Sequence, residues 1–284
     1  MILNRSTHSV RTLVVHTGGI GDFLLFCPAL KRLAEEGPVE LAGVDRDRLN
    51  LAVVSGIAEA AHLIDHFAFS SIFTGPSPLF QKYVTQFDRV IVWMTDGDGR
   101  IAGALRAAGV RDVRVLPGLP PIDWKQHASD YYASMLGLEG LPPLRMPFEE
   151  DGYTHDVLIH PGSGGKRKNW PLENFIDLAK ELALRGRCVT WSLGPAESET
   201  KLPPNSTILT VPSIVTLARH LSGTAMYFGN DSGVTHLAAA CGCKAVAIFG
   251  ETNPAVWAPK GDNVKVASGN PWPSVSEVLR AIRE

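Results

Sequence analysis

Short runs rich in β-branched residues alternate with longer segments of helical period along the whole chain. In the first half, strands are predicted at 12–16, 39–44, 62–65, 89–94 and 112–116. The predicted helices of that half are one ending near residue 35 and those at 46–54, 79–87, 99–108 and 125–138. In the second half, predicted strands at 157–160, 188–193, 207–210, 225–228 and 245–249 alternate with helices at 171–186, 213–221 and 234–241. This alternation predicts an α/β protein with parallel sheets and crossover helices.

A stretch rich in glycine and proline, 137–147, has neither a helical nor a strand period. Such composition is typical of a linker, and 284 residues are enough for about two domains of ~150 residues each. We therefore predict an N-terminal domain of residues 1–147 and a C-terminal domain of residues 148–284.

Composition and charge exclude several classes of protein. Hydrophobic residues make up 45% of the chain and charged residues 20%, as in soluble globular proteins. The net charge of −2 provides no positive field for a nucleic acid, so an anion site must be local. No secretion signal or membrane-spanning run is apparent, and a cytoplasmic protein with free thiols is expected. The nine histidines are scattered, so no metal is expected.

A glycine-rich loop follows the first predicted strand and contains Gly18, Gly19 and Gly21 before Asp22. A dinucleotide fingerprint would need a third spaced glycine where Leu24 stands, so that class of site is disfavoured. Asp22 has two interpretations from the residues alone. It is either a helix N-cap or a general base at the carboxyl end of a strand.

A second loop, 161–170, contains Ser163 and Gly164 followed by three basic residues that end at Lys168. It lacks the Ser or Thr that completes a Walker A sequence. Backbone N–H groups, a hydroxyl and a lysine suit a diphosphate, and an exposed basic turn is the alternative.

Further loops follow later predicted strands. Asp231, Ser232 and Gly233 open an alanine-rich helix that carries His236 one turn in. The N-terminus of such a helix suits a phosphate, whereas Asp231 as an N-cap and His236 as a core residue are the plain alternatives. The turns at 194–197 and 250–254 are weaker candidates.

Four segments together resemble glycosyltransferase family 9, the heptosyltransferase family. They are GGIGDFLLFCPALKRL, HPGSGGKRKNWPLENFIDLAKEL, GPAE and NDSGVTHLAAACGCKAVAIFGETNP, at 18–33, 160–182, 194–197 and 230–254. The resemblance implies a GT-B architecture of two facing Rossmann-like domains with parallel sheets, the first binding the acceptor and the second the donor.

The resemblance also implies roles for residues. Asp22 is the expected catalytic base and Lys168 the expected lysine at the donor phosphates. The other expected donor-binding residues are Ser163, Gly164, Glu197 (or Glu199), Asp231, Ser232, Gly233, His236, Gly250, Glu251 and Thr252. Gly18, Gly19 and Gly21 would lie on the acceptor side. His16 departs from the family, in which many members have arginine at that position.

The expected function is inverting transfer of a heptose-like sugar from a nucleotide diphosphate donor to a lipopolysaccharide core or similar glycan. ADP-heptose is the donor that we expect before any other. The donor is a co-substrate and no cofactor is expected. A lipid-linked acceptor would bring the protein to the cytoplasmic face of the inner membrane. Two alternatives stay open, a non-catalytic nucleotide-sugar-binding member of the family and a nucleotide-sugar epimerase of related architecture.

Overall fold

The computed structural model describes residues 9–146, 148, 152–194 and 197–282. Within these ranges the chain forms two compact units, each with one parallel sheet. The first unit contains the described residues up to Gly18 together with Ala29–Pro120, and the second contains Gly19–Pro28 together with the described residues from Pro121 onward. The predicted α/β class with parallel sheets is confirmed.

The first unit is built around a five-stranded sheet of order β3-β2-β1-β4-β5. Its strands are β1 (Thr12–His16), β2 (Val39–Gly43), β3 (Ala60–Leu63), β4 (Arg89–Trp93) and β5 (Asp112–Leu116). The helices that alternate with them are α1 (Ile20–Ala34), α2 (Arg46–Val54), α3 (Pro78–Val84) and α4 (Arg100–Ala107), with 3-10 turns at Ile64–Phe67 and Phe69–Phe73. All five residues of β1 are buried, as expected for the central strand of a sheet covered on both faces.

The second unit contains a six-stranded sheet of order β11-β10-β9-β6-β7-β8. Its strands are β6 (His155–His160), β7 (Val189–Ser192), β8 (Thr207–Leu209), β9 (Thr224–Asn230), β10 (Lys244–Phe249) and β11 (Val264–Ser268). Its helices are α5 (Ala128–Met135), α6 (Leu172–Leu184), α7 (Ile214–Ser222), α8 (Gly233–Ala240), α9 (Pro254–Trp257) and α10 (Val275–Arg280), and Lys166–Lys168 form one 3-10 turn. Among the described helices, none combines the length and the hydropathy that crossing a bilayer requires.

Most predicted elements are present within one to three residues of the expected ends. The helix expected from residue 125 starts at Ala128, because the His127 side chain accepts the Ser129 N–H and caps it there. β11 was not predicted, since its pattern of mostly half-exposed and exposed residues lacks the apolar run of a central strand.

Residues 137–146 form neither helix nor strand, as predicted for the linker. Met146 is nevertheless fully buried, and its N–H donates to the Ala240 carbonyl in the second unit. The predicted domain boundary after Pro147 lies outside the described residues and stays a prediction.

The order of the second sheet positions the candidate loops. β10, β9 and β6 are adjacent parallel strands, so the loops that follow them leave from one edge of the sheet. Ligands of open α/β sheets bind at this carboxyl edge. The loops at 161–170, 231–232 and 250–253 are therefore neighbours.

Candidate functional site

The start of α8 presents free backbone N–H groups at the carboxyl edge of the second sheet. Ser232 is its N-cap residue, and the Ser232 hydroxyl accepts the Thr235 N–H at 3.3 Å. The N-cap interpretation offered for Asp231 is therefore wrong. The unpaired N–H groups and the dipole of a helix N-terminus favour an anion, which fits the expected role of Ser232 and Gly233.

A lysine from the neighbouring loop lies beside this helix start. The Lys168 ammonium is 2.8 Å from Asp231 Oδ2, and the side chains are 40% and 7% exposed, respectively. Asp231 is thus held inside the protein, whereas Lys168 reaches solvent. An ammonium group has three N–H donors, so Lys168 can keep this ion pair and still bond an incoming phosphate oxygen.

The loop that carries Lys168 is organised by its own side chains. The Ser163 hydroxyl donates to the Gly165 carbonyl at 2.8 Å and also bonds Asn169 Oδ1 at 2.5 Å. A Cβ added at Gly164 would meet nothing within 4 Å. The backbone at Gly164 therefore lies open to a ligand, while Ser163 holds the turn together.

Asn230, which was not among the predicted site residues, is fully buried at the end of β9. Its side-chain amide bonds the backbone at both ends of the 161–170 loop. Only its position beside Asp231 in the NDSG sequence was available as a signal.

The first turn of α1 packs against the start of α8 within the same unit. A Cβ on Gly233 would clash with Ile20 Cγ2 and lie 2.9 Å from the Gly21 nitrogen. Asp22 lies in this first turn, where Asp22 Oδ2 accepts the Gly19 N–H at 3.1 Å. Asp22 is therefore not the N-cap residue itself. It is a carboxylate in the first turn of α1 that accepts the backbone N–H of Gly19, the residue before the helix.

Tyr132 is a second residue that the sequence did not single out. It is fully buried and packs on Phe26, with the ring centroids 5.7 Å apart. Burial, and then the negative charge of Asp22, raise the pKa of the Tyr132 phenol. Tyr132 thus belongs to the surroundings of Asp22, although its helical spacing indicated only a core residue.

His236, in the first turn of α8, lies next to the first turn of α1. It is buried, and a Cβ on Gly21 would be 3.9 Å from His236 Cδ2. Burial lowers the pKa of His236 to about 4, although the nearby Asp231 carboxylate favours the protonated form. His236 is therefore neutral at pH 7 and acts there as a packing and hydrogen-bonding group.

The weaker candidate turns contribute Glu197, Gly250 and Glu251, which have different contacts. Glu197 Oε2 accepts the Gly194 N–H at 2.9 Å, and the Glu197 carboxylate fills the space beside Gly162. Glu251 pairs with Arg167 at 2.8 Å across two exposed side chains, which joins the 250–253 loop to the 161–170 loop. The Gly250 position is closed by Trp272, since a Cβ would lie 2.6 Å from that ring.

Thr252 is half-buried between β10 and α9. Gly18 belongs to the first unit, whereas Gly19 and Gly21 belong to the second.

His16, the residue that departs from the family pattern, ends β1 in the first unit. Burial and then the positive charge of Arg48 lower the pKa of His16 to about 3. The buried Arg48 guanidinium donates to the His16 carbonyl at 3.2 Å. His16 is therefore neutral, and the cation at this point of the fold is Arg48. In the part of the chain that the structure describes, no three His, Cys, Asp or Glu residues form a metal-binding group.

Comparison with known proteins gives a matching family and a curated relative. Residues 145–280 match glycosyltransferase family 9 (heptosyltransferase). Lipopolysaccharide heptosyltransferase 1 of Pseudomonas aeruginosa is 25% identical, over 86% of this chain and 80% of that protein.

Two solved structures share the fold. The family 9 glycosyl transferase of Veillonella parvula superposes with a TM-score of 0.76 at 18% identity, covering 97% of this chain and 96% of the other. The E. coli ADP-heptose lps heptosyltransferase II gives a TM-score of 0.72 at 17% identity, covering 96% and 97%, respectively.

The two parallel-sheet units and these matches define the chain as a glycosyltransferase of the GT-B class. It is a heptosyltransferase-type enzyme, and over residues 145–280 it is similar to glycosyltransferase family 9.

Proposed function

We propose that the protein transfers a heptose-like sugar, with inversion, from a nucleotide diphosphate donor to a glycan hydroxyl. ADP-heptose is the proposed donor and a lipopolysaccharide core the proposed acceptor, in keeping with the names of the similar proteins. The reaction takes place in the cytoplasm. The observation that carries the proposal is the Lys168–Asp231 pair beside the α8 N-terminus, in the same compact unit as Asp22.

In the proposed step, Asp22 takes the proton of the acceptor hydroxyl as its oxygen attacks the anomeric carbon. The new carbon–oxygen bond forms as the bond from that carbon to the phosphate oxygen breaks, and the nucleoside diphosphate leaves with the electron pair. The negative charge on the diphosphate grows during this step. Lys168 and the N–H groups at Ser232 and Gly233 stabilise that charge.

The other predicted donor residues support the same site. Ser163 and Gly164 shape the 161–170 loop, which would bind the diphosphate. Glu251 contacts that loop through Arg167. We assign Glu197, Gly250 and Thr252 to the nucleoside side, and Asp231 and His236 to the support of Lys168 and of the α8 start. Gly18, Gly19 and Gly21 lead to Asp22 on the acceptor side. These roles require the donor as co-substrate and no cofactor.

Asp22→Asn tests the base. The amide keeps the size of the side chain but cannot take the proton, so kcat should fall about 10²–10⁴-fold. The affinity for ADP, measured by calorimetry, should change less than about threefold. Asp47→Asn is the matched control, because Asp47 is an exposed acidic residue in the first turn of α2. Turnover of Asp22→Asn within a few-fold of the unmodified enzyme would contradict the role.

Calorimetry with ADP, UDP and GDP, followed by transfer assays with ADP-heptose, tests the donor. ADP should bind most tightly, and transfer should require an acceptor. Binding without transfer to any acceptor would favour the non-catalytic alternative. Conversion of the donor without an acceptor would favour the epimerase.

A further inference from the structure

A single buried side chain connects both ends of the loop that carries Lys168. Asn230 Nδ2 donates to the Pro161 carbonyl at 2.7 Å and to the Gly162 carbonyl at 3.3 Å. Asn230 Oδ1 accepts the Trp170 N–H at 2.9 Å. Residues 161 and 170 are the first and last of the loop, so one amide closes it.

The residue type matches these bonds. The side chain must donate to carbonyls on one side and accept an N–H on the other, which an amide does in one orientation only. An aspartate of the same shape would direct a carboxylate oxygen at two carbonyl oxygens. Because Asn230 is 0% exposed, water cannot compensate for such a mismatch.

The backbone of Asn230 is fixed as well. Asn230 pairs with Ile248 in the sheet, and its carbonyl accepts the Thr235 hydroxyl at 2.6 Å. At the far end of the loop, Trp170 is 1% exposed and its indole N–H donates to the Pro273 carbonyl at 2.9 Å. Asn230 therefore ties the loop to a buried, hydrogen-bonded point of the sheet.

The same tie sets the position of Lys168. Lys168 pairs with Asp231, the residue after Asn230, and Trp170 lies two residues after Lys168. The loop is thus attached to two consecutive residues at the end of β9. Loss of the amide bonds would release the loop from Asn230 at Pro161, Gly162 and Trp170, and would leave the Lys168–Asp231 ion pair as its remaining link to the end of β9.

We infer that Asn230 is a positioning residue that keeps the loop in its diphosphate-binding conformation before the donor arrives. This rests on the proposed role of Lys168. A loop already ordered does not lose conformational entropy on binding, so the affinity for the donor is higher. Asn230 does not touch the donor and acts through the backbone of the loop and through Lys168.

Asn230→Asp tests the inference. The KM for donor and the Kd for ADP should each rise at least tenfold at pH 7.5, and hydrogen exchange of amides 163–170 should accelerate. As the pH falls, the buried carboxyl group of the variant becomes protonated and can again donate to the Pro161 carbonyl. The ratio of variant to unmodified Kd should therefore decrease toward acidic pH, a profile that simple destabilisation would not produce.

Thr224→Val is the matched control. Thr224 is a buried polar residue at the opposite end of β9, and its hydroxyl donates to the His220 carbonyl at 2.7 Å. This variant should lose stability, yet keep KM, Kd and loop exchange within about twofold of the unmodified enzyme.

Exchange in the unmodified protein gives a measurement that needs no variant. The Trp170 amide should exchange as slowly as the core amides of β6, although it ends a surface loop. Fast exchange at Trp170, or an Asn230→Asp variant with unmodified KM and loop exchange, would overturn the inference. Failure of the unmodified enzyme to bind ADP would instead count against the proposed donor, because the exchange comparison still tests the tie.

Discussion

The two lysines of one 3-10 turn allow a specific role at the diphosphate to be distinguished from a general effect of positive charge. Lys168 is 40% exposed and paired with buried Asp231, whereas Lys166 is exposed. Lys168→Ala should raise the Kd for ADP at least tenfold and lower kcat, because the growing charge on the diphosphate loses its nearest cation. Lys166→Ala removes the same charge from the same turn and should change the Kd for ADP and kcat by less than threefold. Equal effects of the two variants would indicate long-range attraction only.

At the scale of residues, the sequence predicted candidates but not their partners. Lys168 and Asp231 stood in separate loops, 63 positions apart, and nothing in either loop indicated the ion pair between them. Asn230 and Tyr132 were missed for the same reason. Their importance comes from hydrogen bonds and packing to distant segments, which composition and spacing do not encode.

At the scale of elements, the contact between α1 and α8 depends on glycine. In Gly233→Ala, the new Cβ would collide with the Ile20 side chain and approach the Gly21 backbone nitrogen to 2.9 Å. The first turn of α1 must then move, and Asp22 moves with it. We expect at least a tenfold loss of kcat and a stability loss of about 1–3 kcal/mol, as for other overpacked sites.

Gly103→Ala in α4 is the control for this prediction. A Cβ there meets nothing within 4 Å, so the substitution should stabilise the helix by about 0.5–1 kcal/mol without changing turnover. Chemical denaturation and initial rates of both variants provide the comparison. Normal kcat in Gly233→Ala would show that α1 does not need this contact.

The elements themselves were largely predictable. β1, β5 and α2 have the expected ends. β1 is a buried apolar run, β5 alternates polar and apolar residues at its start, and the Asp45 side chain caps the start of α2. β11 and the two 3-10 turns at 64–73 were not found, since their sequences have neither pattern. Sheet order also lay beyond the sequence, although parallel pairing restricts it strongly.

At the scale of the whole molecule, buried neutral histidines predict sensitivity to acid. Burial lowers the pKa of six histidines, namely His16, His127, His155, His160, His220 and His236. Their pKa values in the unfolded chain lie near 6.5, so below that pH the unfolded state binds protons that the folded state does not. The free energy of unfolding should therefore fall as pH decreases from about 6.5 toward 4.

Urea denaturation at pH 7.5, 6 and 5 measures this dependence. His220→Phe retains a ring that can stack on Tyr153, which lies 4.0 Å from the His220 ring, and should make the decline shallower. His66→Gln, at an exposed position, should leave the slope unchanged. Stability that stays constant or increases on acidification would contradict the prediction.

The division of α1 has a practical consequence. Its first nine residues belong to the second compact unit, although more than ninety residues separate them from the rest of it. A fragment beginning at residue 121 would contain the entire six-stranded sheet but not the segment that covers Gly233. Such a truncated domain should expose apolar surface and aggregate, whereas adding a synthetic peptide of residues 19–28 should restore solubility by complementation.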